Sequence, residues 1–156
     1  MKVYIIYDRY ERDEWYQVYY IGLNRQESVK KFKEEELPSF LEYGPDDCHS
    51  FQLQEVKMTK EQYEHFMSLN PIEHEIYYDE NDELFNIMYD IYDSGEKVIF
   101  STDGVTDNYE IFKLFMHLVY PKVEEGSDRY YDLQMEFYNS DEDYHAWMKV
   151  YINATY

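Results

Sequence analysis

Carboxylates are the residues of this chain best placed to do chemistry, and they fall into two groups. Asp79, Glu80, Asp82 and Glu83, with Asp90 and Asp93, lie on a predicted helix and its lead-in, off the apolar stripe. On such a helix i, i+3 and i+4 partners stand ~5–6 Å apart. Asp132 and Glu136 leave a predicted strand on the side opposite Leu133, Met135 and Phe137, and Asp141, Glu142 and Asp143 follow directly. Alternate residues of a strand are ~6.6 Å apart. Carboxylates at these spacings can hold a metal, share a proton, or meet a row of Lys and Arg side chains.

The metal and proton-transfer uses each lack a part. Asp79-x-Asn81-x-Glu83 has the opening spacing of an EF-hand loop, but Leu84 stands where the sharp turn needs Gly, and Asp90 where a bidentate Glu closes the cage. The stretch reads as an acidic first helical turn favoured by the helix dipole. Val98-Ile99-Phe100-Ser101-Thr102-Asp103-Gly104 resembles the strand and acidic loop of haloacid-dehalogenase-type phosphatases, yet Ser101 occupies the nucleophile's position. Asp103-Gly104 then reads as a turn leading to a cap at Asp107. Val18-Tyr19-Tyr20-Ile21-Gly22, with Val3-Tyr4-Ile5, resembles a GIY-YIG nuclease motif without its first glycine or a following arginine, and reads as a β-hairpin.

The five histidines, His49, His65, His74, His117 and His145, form no i, i+4 pair. Cys48 and His49 are neighbours whose side chains diverge on a strand, so they make no nucleophile–base pair. Glycine is too sparse for a phosphate loop. The expectation is no catalytic residue, no metal, no cofactor, and no enzyme.

The third use is favoured by the overall charge. The 156 residues carry 14 Lys+Arg against 34 Asp+Glu, a net charge of −20. Residues 1–78 contribute −7 and residues 79–156 contribute −13. Such a chain repels phosphate, which argues against direct nucleic-acid binding and against an anionic membrane surface. Self-repulsion at this level destabilises a compact fold unless a partner offsets it. Twenty tyrosines, many beside an acid, add contact area of the kind enriched in interfaces. An aromatic content of 20% separates the chain from disordered acidic tails. A single Cys48 suits a reducing, cytoplasmic setting, and no apolar run reaches the ~20 residues of a membrane span.

The elements that must position these acids follow from periodicity and caps. Lys2–Asp8 and Trp15–Leu23 read as a hairpin. Asn24 with Glu27 caps a helix that Pro38 ends, and residues 40–48 read as a loop. Ser50–Lys57 reads as a third strand, and Thr59 with Gln62 opens a second helix stopped by Asn70-Pro71. Glu73–Tyr78 reads as a short extended segment. A helix from Asp79 or Asn81 carries Leu84, Ile87, Met88 and Ile91 inward, with Gly95 as its C′ residue. Lys97–Ser101 reads as a strand. A helix capped by Asp107 carries Ile111, Leu114, Phe115, Leu118 and Val119. Tyr130–Tyr138 alternates as a strand, and Ser140 opens a last helix bearing Tyr144, Trp147, Met148 and Tyr151. The sum is one α+β domain over residues 1–156, about five mostly antiparallel strands and five helices, with a candidate subdomain seam near Asn70–Asp79.

In composition the chain resembles small acidic phage and bacterial inhibitors of nucleic-acid enzymes, of the DNA-mimic anti-restriction and anti-CRISPR kinds. The resemblance rests on Asp79, Glu80, Asp82, Glu83, Asp132, Glu136, Asp141, Glu142 and Asp143. It implies a stoichiometric blocker that places carboxylates in the Lys/Arg-lined groove of a basic nucleic-acid-binding protein such as a nuclease. The alternative is a tyrosine-rich protein–protein interaction module whose partner is not a nucleic-acid enzyme.

Overall fold

The computed structural model describes residues 1–42, 49–102 and 108–140. The chain divides into two compact units. The first comprises Met1–Phe32 and Asp47–Asp103, the second Lys33–Asp46 and Gly104–Tyr156. The segment from Asn70 to Asp79 lies inside the first unit.

The first unit is built on β1 (Lys2–Tyr10), β2 (Trp15–Gly22), β3 (His49–Lys57) and β4 (Val98–Ser101), an antiparallel sheet in the order β2-β1-β3-β4. The run from Val3 to Tyr7 is apolar at every position, the mark of a central strand covered on both faces, and all five residues are buried. The pleat sends Val3, Ile5 and Tyr7 to one face, where they meet Tyr16 and Val18 of β2. That face is closed by Phe66 of α3 (Lys60–Ser68) and by Leu84, Phe85, Met88 and Ile91 of α4 (Glu83–Ser94). The other face holds Tyr4, Ile6, Phe51 and Leu53, all buried. There Phe32 stacks between Phe51 and Phe100, with ring centroids 5.4 Å from each. Tyr19 is the extra residue of a bulge where the β1–β2 register shifts between Ile6 and Tyr7.

Local signals set the helix ends. The Asn24 side chain accepts from the Glu27 N–H ahead of α1 (Arg25–Lys31), and Thr59 and Gln62 complete a reciprocal capping box on α3. Asp82 caps α4, which therefore starts at Glu83, and Gly95 ends it at φ 58° in the left-handed region. Pro38 does not terminate the first helical stretch. The backbone widens into a π segment over Phe32–Glu36 and continues as α2 (Leu37–Glu42), which includes Phe40. Proline lacks the N–H that would bond back along the helix, and a widened turn just before it accommodates that loss. Glu73–Tyr78 forms no strand. Among the described residues its one pairing is the bridge of Ile76 to Tyr16, with N–H···O bonds of 2.8 Å in both directions.

In the second unit, α5 (Asn108–Val119) buries Phe112, Phe115 and Met116. The expected cap at Asp107 and the expected last helix after Ser140 lie outside the described residues. The expected strand over Tyr130–Tyr138 is instead a helix, α6 (Asp128–Ser140). Tyr130, Leu133 and Phe137 are buried at i, i+3 and i+7, while Tyr131 and Met135 are exposed. Both periodicities fit this segment. The helical one packs two rings on Phe112, at 5.3 Å from Tyr130 and 5.4 Å from Phe137. Its first turn is also capped, since Ser127 Oγ accepts from the Tyr130 N–H. Among the described residues the sheet accordingly has four strands, one fewer than expected. No helix among the described residues is long and apolar enough to cross a membrane.

Candidate functional site

Between Lys60 and Lys97 lie 36 residues that contain eleven Asp or Glu and no Lys or Arg. The stretch spans α3, the segment pinned by Ile76, and α4. Ten of the eleven acids are exposed, and Asp82 is half-buried. The helix period produces this: α4 turns Leu84, Phe85, Met88 and Ile91 to the core, which leaves Glu83, Asn86, Asp90 and Asp93 at i, i+3, i+7 and i+10 on the outside. At ~1.5 Å rise per residue that stripe runs ~15 Å along the surface. Asp79, Glu80, Asp82, Glu83, Asp90 and Asp93 are the acids singled out from the sequence; Glu61, Glu64, Glu73, Glu75 and Glu96 share the stretch and were not singled out, although an absence of basic residues over 36 positions was legible in the sequence.

Two of the acids hold the backbone in place. Asp82 Oδ1 accepts from the Leu84 N–H at 2.9 Å, and Asp79 Oδ1 accepts from the Asn81 N–H at 2.9 Å. Glu64 meets Lys60 at 3.9 Å, and Glu83 pairs with His65 of α3. Asp79, Glu80, Asp90, Asp93 and Glu96 form no ion pair with a described residue. Tyrosines lie among them. Tyr77 donates to Glu75, and Tyr78 donates to Glu80 at 2.9 Å. Each acceptor carboxylate raises the pKa of its phenol. Both rings are more than half exposed, at 58% and 53%.

In the second unit, Asp132 and Glu136 are exposed on α6 and stand one helical turn apart, with Asp128 a turn earlier. They are i, i+4 neighbours on a helix, not alternate residues of a strand. Asp141, Glu142 and Asp143 lie outside the described residues.

Two acids of the first unit differ from all of these in being buried. Glu55 on β3 accepts from the Tyr4 hydroxyl at 2.9 Å, and its carboxylate lies 3.1 Å from Lys97 Nζ and 3.7 Å from Arg25 Nη1. The Lys97 hydrogen bond, with that of Tyr4, holds its carboxyl below the ordinary value despite burial. Asp8 on β1 faces His49, whose Nδ1 lies 2.8 Å from Oδ2, while Asp8 Oδ1 is buried with no hydrogen-bond partner among the described residues. Burial raises the Asp8 carboxyl, and the imidazole pulls it back. Tyr10 and Trp15 stack at 5.5 Å beside the His49 ring. Among the described residues no group of three or more His, Cys, Asp or Glu is placed to hold a metal ion.

The first unit also carries a groove of about 470 Å³ where α3, α4 and the end of β3 meet. Val56, Met58, Phe66, Ile87 and Ile91 line its apolar part; Glu83, Asp90 and Glu96 line its acidic part. No family model, no curated protein and no solved structure matches this chain.

Proposed function

We propose that this protein is an acidic inhibitor that occupies the basic nucleic-acid-binding groove of a nuclease or other host-defence protein. One observation carries the reading. The 36-residue surface from Glu61 to Glu96 offers carboxylates and tyrosines, and no Lys or Arg of its own neutralises it from within. Duplex DNA presents one charge per ~1.7 Å of its axis, over two strands. A carboxylate-lined helix face approaches one row of such charges, and exposed tyrosines add stacking area for arginine. Association of this kind is fast and falls steeply with salt.

The test is capture of proteins from a bacterial lysate on the immobilised chain, at low and high salt, with duplex DNA as competitor. The reading expects captured proteins that DNA and salt both release. It also expects a D79N/E80Q/D90N/D93N variant to capture none of them. Retention against excess DNA at high salt, or undiminished capture by the variant, would overturn it.

A second reading is favoured by the adjacent exposed pair Tyr77 and Tyr78. On that reading the protein is an interaction module with no nucleic-acid-enzyme partner, and contact centres on tyrosine rings. Y77A/Y78A would then abolish capture, and salt would leave it unchanged.

A further inference from the structure

We propose that the groove between α3, α4 and the end of β3 seats an extended basic segment of the partner protein, with a Lys or Arg side chain in the groove and the segment's backbone against the open edge of β3. The proposal rests on the acidic-inhibitor reading and names the kind of segment such a surface grips.

The groove's chemistry selects this occupant. Its apolar part, with Val56, Ile87 and Ile91, suits the aliphatic stem of a long cationic side chain, and Asp90 and Glu96 suit the head group. Neither acid is in an ion pair with a described residue, and among the described residues Glu83 pairs with His65 alone. An anionic ligand is repelled here. A bare small cation leaves the apolar part uncovered, and a neutral apolar ligand leaves the carboxylates unanswered. Lys57 also lines the groove, but strand alternation places its side chain with Glu55 on the opposite face of the pleat from Val56.

The register of β3 supplies an independent reason. Met1 and Met58 exchange two hydrogen bonds, 2.9 Å from the Met58 N–H and 2.7 Å from the Met1 amino group. The β1–β3 pairing continues from there without a shift. Bonded and non-bonded pairs alternate in an antiparallel ladder, so the N–H and C=O of Glu55 and Lys57 point away from β1. The Glu55 N–H reaches the Lys97 carbonyl at 3.0 Å. β4 pairs with β3 only as far as Gln54. The Glu55 carbonyl and both backbone groups of Lys57 therefore have no backbone partner among the described residues. An extended segment laid beside them adds a short strand to the sheet, and its alternate side chains project toward the groove.

The probe is the peptide acetyl-Arg-Val-Arg-Val-Arg-amide, compared with an analogue of equal charge whose backbone nitrogens are methylated. Each is titrated by calorimetry, and by amide chemical shifts, against the full chain at physiological ionic strength. The expected result is a set of shifts concentrated on Glu55–Lys57, Gln62, His65 and Glu96. The methylated analogue, the groove-filling variant Ile87→Trp and the surface variant Glu96→Lys should each bind about tenfold more weakly, a loss of about 1.4 kcal/mol. Equal binding of the two peptides, or shifts spread evenly over the acidic surface, overturns the proposal. So does a variant D79N/E80Q/D93N, outside the groove, that abolishes binding while Ile87→Trp and Glu96→Lys do not. That last outcome leaves the acidic-inhibitor reading standing. Peptide binding unaffected by every one of these variants overturns both.

Discussion

At the scale of single residues, the two buried carboxylates behave oppositely with pH because their partners differ. Asp8 is almost wholly buried, at 4%, and a single imidazole that is one-quarter exposed faces it. A carboxylate can only accept, so with Asp8 ionised the His49 Nδ1 is the donor. Replacing His49 by Ala strands a charge inside the sheet and is expected to cost about 3 kcal/mol at neutral pH, measured by urea unfolding. Asp8→Asn in the same background is expected to recover most of that. If the double variant is no more stable than His49→Ala alone, the pair is not what His49 contributes. Glu55 runs the other way. Its carboxyl lies below the ordinary 4.5 in the folded state, so its contribution is present above that pH and is lost as pH falls through the folded value. Glu55→Gln is therefore expected to cost about 2 kcal/mol near neutrality, with the gap from the unsubstituted chain narrowing as the solution is acidified below 4.5. A gap independent of pH would show that packing, not charge, is what Glu55 supplies.

At the scale of elements, α6 shows how one amphipathic string can satisfy two periods. Tyr131, Leu133, Met135 and Phe137 alternate as a strand would, yet Tyr130, Leu133 and Phe137 also keep the helical spacing. A strand puts Met135 and Phe137 on the same face, and the helix separates them. Phe137→Ala is accordingly expected to destabilise by about 3–5 kcal/mol, against less than about 0.5 kcal/mol for Met135→Ala at its exposed position. Similar losses at the two sites, read by thermal or urea unfolding, would reinstate the strand. The caps, by contrast, act over three or four residues. Asn24 with Glu27, Thr59 with Gln62, and Gly95 were legible because the bonds that define them are local. Pro38 misled because it stands in the first turn of α2, where a proline is tolerated, and the π segment upstream joins that turn to α1.

At the scale of the molecule, a charge of −20 on 156 residues opposes compaction and is screened by added salt. The thermal midpoint is expected to rise with sodium chloride, because few ion pairs cross the acidic surface to be weakened in exchange. A midpoint that falls with salt, followed by differential scanning fluorimetry, would mean that attractive pairs dominate. On the proposed acidic-inhibitor reading, the same screening is expected to weaken association with a basic partner, so stability and binding should move in opposite directions along one salt series.

The sequence by itself determined the charge, the hairpin, the third strand and the outward face of α4. Each follows from residue type and period within a dozen positions. It also located six of the acids on the α3–α4 surface, since an apolar stripe at Leu84, Met88 and Ile91 dictates what faces outward. Only the tertiary structure decided that β3 lies between β1 and β4, because strand order depends on contacts between residues some 50 positions apart that leave no local trace. It alone separated the buried Glu55 and Asp8 from the exposed acids, which are chemically identical in the sequence. It alone produced the groove, whose walls come from β3, α3 and α4 and exist only where those three elements meet.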